Sequence, residues 1–315
     1  GYYGKTVYSP YVASFAPEGD YDSARLGDGF VHATLRKGNA ATHKGALAFI
    51  RTACRRCSAR ARRLDVRLDA GFTFGSVLDG LQDDGILFVG RLETNTVLQE
   101  LAARHIQRPV GRPPSEGYEY TVELGRYQAE SWKHAQRVVL CVVDKPDPKT
   151  GQLEFMPHTF FLVTNWRWDQ LDGDELLEHY RRRGTFEDRL SELWSTIRPK
   201  LSSPEFEENE VTLLLALLAF NIMNTIRGEL EYETGSGWDM SRVQTSVLKA
   251  GAQVTTSGRR LFVDIALAVV SLWRRISARI ARWKLPARYP PLRGSERREW
   301  VDPPEHAHLA LVLRE

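Results

Sequence analysis

The stretch HYRRRGTFEDRLSELW, residues 179–194, sets three consecutive arginines, a glycine and a Glu-Asp pair into one helical pattern. At 100° per residue, Tyr180, Arg183, Glu187 and Trp194 share one narrow stripe beside an apolar face of Phe186, Leu190, Leu193 and Ile197. Arg181, Asp188 and Glu192 point to solvent. A guanidinium offers a planar fork of donors suited to phosphate, and a carboxylate is a hard oxygen ligand for a divalent cation. Glu187 and Arg183 therefore sit at the rim of a buried face, where a plain solvated charge is less expected. Spacing alone is met equally well by a surface helix with an i, i+4 ion pair. Gly184, which costs about 1 kcal/mol inside a helix, is a candidate break.

A second acid stands out. Asp69 follows the apolar run of LDVRLD and precedes Ala-Gly-Phe. An acid at the carboxyl end of a sheet strand can present its oxygens to a metal in the crevice beyond the sheet. Taken alone, the residue types favour a turn-former or helix cap. Cys54 and Cys57 form a single C-x-x-C without a second pair, a weak zinc signal. Both fall on the stripe Leu47, Ile50, Cys54, Cys57 and Ala61, which favours core thiols.

The 315 residues suffice for one large domain with an insertion or two modest ones, and the 42% hydrophobic share fills a core. Net charge is only +3. Residues 51–67, however, hold seven arginines and one acid, and 274–297 is also Arg-rich. Basic stripes on a near-neutral chain suit a polyanion such as nucleic acid. No secretory signal opens the chain. The apolar run 211–226 is short for a membrane span and contains Asn221 and Asn224, so a buried helix in a cytoplasmic protein is expected. The chain begins at Gly1, without Met and already in strand-like alternation, as a piece of something longer would.

Residues 5–36 alternate apolar and polar positions around PEGD and GDG turns, as an antiparallel meander does. A helix over about 43–62 and the strand LDVRLD follow. FTFGSVLDGLQDDG then reads as a helix, ILFVGRL as a strand and NTVLQELAARH as a helix, which makes an α/β sheet. From 106 the Pro/Gly-rich RPVGRPPSEG leads into three β-type runs, YEYTVELGRYQ, RVVLCVVD and MPHTFFLVTNW. Helical patterns return from 173, over 207–230 and over about 261–283. The Pro- and Arg-rich tail after Pro286 is expected to be loosely ordered.

Four blocks, RLDAGF, FLVTNW, HYRRRGTFEDRL and FEENEVTLLLALLAFNIMNTIR, resemble the DDE transposases of bacterial insertion sequences. The nearest likeness is to the insertion-sequence family numbered thirteen-eighty. GYYGKTVYSPYVASF, ATLRKGNAATHKGALAFI and LKAGAQVTTSGRRLF resemble that family too, so the likeness covers about residues 1–283.

The resemblance implies an α/β, RNase-H-like core with a β-rich insertion and a C-terminal helical region. Its parts would be core residues 1–105 without the first strand, insertion 106–170, core 171–235 with the catalytic helix, helical region 236–285 and tail 286–315. It implies that Asp69 and Glu187 are the second and third acids of a D-D-E triad holding two Mg²⁺ (or Mn²⁺) ions for phosphodiester cleavage and strand transfer. The family signature is a Tyr, an Arg three residues on, a Glu four further and a Lys seven beyond. Tyr180, Arg183 and Glu187 match it; Trp194 stands in place of the lysine, with Arg198 or Lys200 as substitutes. Tyr180, Arg182 and Arg183 would meet DNA. So would Trp166, with Trp168 next in line, if a base is stacked; an aromatic closing the core is the alternative. The first acid would lie upstream of Gly1, since Asp20, Asp22 and Asp28 sit in expected turns. The chain as it stands is therefore expected to be inactive. Implied partners are double-stranded DNA (terminal inverted repeats and target) and a second copy of the chain, in the bacterial cytoplasm without a membrane. A non-catalytic DNA-binding remnant or regulator is the alternative.

Overall fold

The computed structural model describes residues 8–18, 29–58, 61, 63–106, 116–147, 150, 153, 156–257, 260–265, 267–282 and 306–313. Two compact units divide the chain. The first comprises Gly1–Gly19, Phe30–Asp188 and Pro304–Glu315, and the second Asp20–Gly29 and Arg189–Pro303.

The first unit is a mixed α/β structure. Its strands are β1 (Tyr11–Glu18), β2 (Gly29–Thr34), β3 (Arg63–Leu68), β4 (Leu87–Leu92), β5 (Tyr118–Tyr127), β6 (Gln136–Asp144), β7 (His158–Thr164) and β10 (His306–Leu313). They form one eight-stranded sheet in the order β2-β1-β10-β3-β4-β7-β6-β5. β3 runs parallel to both β10 and β4, while β10–β1, β4–β7, β7–β6 and β6–β5 are antiparallel. The β-type runs after residue 106 thus extend the same sheet from its β4 edge.

Period-two alternation sorts the side chains of this sheet onto two faces. Val66, Leu68, Phe88, Val138, Leu140, Phe161 and Val163 share a core with helices α1 (Ala46–Cys57), α2 (Gly75–Asp83) and α3 (Thr96–Ala103). Cys54 and Cys57 lie in that core. On the other face, Val89, Val139, Cys141 and Leu162 pack with Leu176, Leu177 and Tyr180 of α4 (Gly173–Arg181). α4 starts firmly because Asp172 and Glu175 form a capping box, satisfying two otherwise unpaired backbone N–H groups.

Chain 182–183 is a turn, after which α5 (Gly184–Glu192) begins. The boundary between the two units falls inside α5. The second unit continues with a single π turn (Leu193–Ile197), α6 (Phe206–Thr234), α7 (Met240–Val243), a second π turn (Gln244–Leu248), the hairpin β8 (Ala252–Ser257) and β9 (Arg260–Ile265), and α8 (Leu267–Ile280). The carboxylate of Glu192 accepts from Arg227 at 2.8 Å and from the Met240 backbone at 3.0 Å, tying α5 to α6 and α7.

Three expectations change. Residues 260–265 are a strand and the helix starts at Leu267, because LFVDIALAVV is apolar enough to satisfy either period. The tail after Pro286 contains a strand, β10, whose backbone pairs on both sides. α6 spans 29 residues, long and apolar enough by length and composition to cross a membrane, and is not buried all round. Leu213, Leu217 and Phe220 are covered, whereas Val211, Leu215, Leu218 and Ile222 are exposed. Its Glu229 is buried and paired with Arg279.

Candidate active site

Asp69 stands immediately after β3 in an extended conformation (φ −73°, ψ 162°) and caps the 3₁₀ turn Ala70–Phe72, its Oδ1 accepting from the Ala70 N–H at 2.9 Å. The cap role and the strand-end role coincide in one residue. The turn is pinned again by Thr73, whose hydroxyl donates to Ala70 O or Arg91 O, each 2.9 Å away. Gly90 on β4 makes room for it: a Cβ there would lie 2.6 Å from Thr73 Cγ2 and 2.9 Å from Leu68 Cβ.

The helix carrying Arg183 and Glu187 is not continuous. After α4, Arg183 N donates to Tyr180 O and Phe186 N to Arg183 O, both at 2.9 Å. These i to i+3 bonds tighten the chain into a 3₁₀-like step between the two helices. Gly184 sits just past that step, where a Cβ would meet nothing within 4 Å.

Across the step, Arg183 is 11% exposed and gathers two acids. Its Nη2 donates to Glu187 Oε1 at 2.7 Å, and its Nη1 lies 3.5 Å from Asp69 Oδ1. The guanidinium carbon sits 5.5 Å from the Tyr180 ring centroid, a cation–π contact. Tyr180 is buried, and burial raises its phenol above the ordinary value of 10.0. Glu187 is 55% exposed on its side chain. Asp188 is exposed.

The other arginines of the cluster differ. Arg181 grips Glu119 of β5 through both carboxylate oxygens, and that hydrogen-bonded pairing lowers the Glu119 carboxyl to about 2. Arg182 is exposed at the turn. Trp194, Arg198 and Lys200 belong to the second unit, Trp194 within the π turn and Arg198 in a left-handed conformation (φ 54°).

Trp166 lies at the other end of the strands. β4 pairs Val89 with Thr164 and Leu87 with Asp65, which puts Trp166 near the amino-terminal end of β3 and Asp69 at its carboxyl end. Trp166 is 8% exposed, meets His179 edge-on at 5.7 Å and has the Arg63 guanidinium 4.5 Å from its ring centre. It sits as a core aromatic, with its ring faces turned to protein. Trp168 is exposed.

One buried pair carries no sequence motif. His179 Nε2 lies 2.8 Å from Asp65 Oδ2, with both residues buried. The signal was the alternation Asp65-Val66-Arg67-Leu68-Asp69, which places three charged residues on one face of a central strand.

Among the described residues, no group of three or more His, Cys, Asp or Glu is placed to hold a metal ion. Asp69 and Glu187 are nevertheless of the donor type Mg²⁺ or Mn²⁺ prefers, and they already converge on a cation, Arg183.

Comparison with known proteins gives the following. The family model described as transposase DDE domain group 1 matches residues 1–285. Among solved structures, the chain is similar to the cryo-EM structure of the piggyBac transposase synaptic complex with hairpin DNA, with 10% identity and a TM-score of 0.41. That similarity covers 86% of this chain and 51% of the other, so the chain spans about half that protein's length. Comparison with curated proteins gives no match. A model matched over so much of the sequence shows the family, and the chain belongs to the transposase DDE domain family, group 1.

Proposed function

We propose that the chain is the core of a DDE transposase of the insertion-sequence family numbered thirteen-eighty, with an RNase-H-like sheet extended by the β-rich segment 106–170. The observation that carries this reading is the convergence of Asp69 and Glu187 on Arg183. Asp69 at the carboxyl end of parallel strand β3 is where an α/β sheet presents ligands.

Asp69 and Glu187 would hold Mg²⁺ or Mn²⁺, which when bound activates the attacking oxygen of a phosphodiester exchange and stabilises the leaving one. The chain's own part is positional. The Ala70 N–H fixes one Asp69 oxygen, Tyr180 supports the Arg183 guanidinium, and Arg182 and Arg183 supply positive charge for DNA phosphates. The proposed substrate is double-stranded DNA at the terminal inverted repeats and at the target, bound by two copies of the chain in the bacterial cytoplasm. Among the described residues Asp69 and Glu187 are the acids that meet at Arg183, few anions for a pair of divalent ions, so weak Mg²⁺ binding and no cleavage are expected.

A second reading, DNA binding without catalysis, is favoured by Arg183 itself, which already occupies an oxygen of each acid. Mn²⁺ titration followed by its spin-resonance signal tests the first. Asp69→Ala and Glu187→Ala should each weaken binding while Asp188→Ala leaves it unchanged; equal binding by all three removes the metal site. A terminal-repeat duplex that is bound with steep salt dependence by a chain that takes up no Mn²⁺ supports the second.

A further inference from the structure

Arg181 and Arg183 hold their acids in opposite ways. Arg181 engages both oxygens of one carboxylate, Glu119, in a closed pair. Arg183 takes one oxygen from each of two carboxylates: its Nη2 donates to Glu187 Oε1 at 2.7 Å, and its Nη1 stands 3.5 Å from Asp69 Oδ1. Among the described residues, Asp69 Oδ2 and Glu187 Oε2 accept no hydrogen bond. The two acids therefore face one cation with half of their oxygens still open.

Exposure separates the cation from its acids. The Arg183 side chain is 11% exposed and rests with its guanidinium carbon 5.5 Å from the Tyr180 ring centroid. The side chains of Asp69 and Glu187 are 28% and 55% exposed. An ion from solution reaches the carboxylates before it reaches the guanidinium, and a phosphate outside meets two negative charges in front of Arg183. An ion pair with one half-exposed partner is weakly held. A compact divalent cation carries twice the charge and prefers carboxylate oxygen, so it competes well for both acids.

We propose that Arg183 is a placeholder cation. It holds Asp69 and Glu187 together while no metal is bound, an incoming Mg²⁺ or Mn²⁺ displaces it, and its fork of donors is then free for a DNA phosphate. Arg183 thus lowers the affinity of the acids for metal and is withheld from DNA until metal arrives. The proposal rests on the reading of Asp69 and Glu187 as metal ligands and adds how that site is guarded.

Titration of the full chain with Mn²⁺, without DNA and followed by the spin-resonance signal, tests it. Arg183→Ala and Arg183→Gln, the second nearly keeping the length of the side chain, should each bind Mn²⁺ about tenfold more tightly than the parent, as expected when one competing charge-assisted hydrogen bond is lost. In the parent, Mg²⁺ should speed modification of Arg183 by an arginine-specific dicarbonyl, read by peptide mass, and leave Arg181 unchanged. That measurement needs no variant and decides the matter where a substitution unfolds the chain. If Asp69→Ala and Glu187→Ala lose Mn²⁺ binding while folded Arg183 variants bind no more tightly, or while Mg²⁺ leaves Arg183 modification unchanged, the placeholder alone is overturned. Equal Mn²⁺ binding by the parent and both acid variants overturns the metal reading, and the placeholder with it.

Discussion

His179 Nε2 and Asp65 Oδ2 meet 2.8 Å apart in the interior of the first unit, four residues before Arg183 on the helical side and four before Asp69 on the strand side. A carboxylate only accepts, so the imidazole nitrogen carries the hydrogen. The pair fixes α4 against β3 at one point, and the Arg183–Asp69 approach follows at the next.

Removing one partner takes a buried hydrogen bond from the other. His179→Leu or Asp65→Leu should lower unfolding free energy by about 1–3 kcal/mol. The double variant should recover part of that loss. Urea denaturation of all four proteins checks it, and strict additivity would mean the two residues do not act together.

Glu119 ties β5 to α4 through Arg181. Its carboxyl is depressed from 4.5 to about 2, chiefly by the hydrogen bond from Arg181. A depressed folded value means that the stabilisation is complete above pH 4.5 and fades as pH falls toward 2. Glu119→Gln should therefore lower Tm at pH 7, and the difference from the parent should shrink across that acid window. A difference that stays constant down to pH 2 would remove Glu119 as its source.

Cys54 lies in the core under α1, and burial pushes its thiol up to about 12. Native protein at pH 8 should react with a thiol reagent at Cys54 only as fast as the core opens, and denatured protein immediately. Because the C-x-x-C thiols pack as hydrophobes, a zinc chelator should leave Tm unchanged. A chelator-induced fall of several degrees would instead assign them to a metal.

Gly90 lets the turn after Asp69 close against β4. Gly90→Ala brings a methyl group onto Thr73 Cγ2 and Leu68 Cβ, an overpacking that should cost about 1–3 kcal/mol. Adding Thr73→Ser removes the nearer methyl group, keeps the hydroxyl, and should restore part of the loss. Thermal melts of the single and double variants check this.

Much of this could be read along the chain. Strands over 63–68, 87–92, 118–127, 136–144 and 158–164 follow from runs of β-branched and apolar residues bounded by turns. Helical spacing put Arg183 and Glu187 on one stripe, and the i, i+4 ion pair is that spacing made physical. Asp65 with His179 was not legible, because the two stand 114 residues apart and only the docking of α4 on β3 makes them neighbours. The step at 182–183 was hinted at by Gly184, but its 3₁₀ bonds depend on how Tyr180 and Phe186 pack. Arg183 reaching Asp69 likewise required knowing where the sheet ends.

β10 comes after every other described strand in the sequence yet lies between β1 and β3, pairing Tyr11 with Leu313 and Leu68 with Leu311. The backbone ladder from β1–β2 to the remaining strands runs through it. During synthesis, β1 and β3 thus leave the ribosome long before the strand that joins them, each with an unpaired edge of N–H and C=O groups. Closing that join requires contacts spanning nearly the whole chain, which slows folding and prolongs exposure of those edges. A nascent chain halted before residue 306 would present an open sheet edge, a template for aggregation or for a holding chaperone, and the full sheet can form only after translation has passed β10.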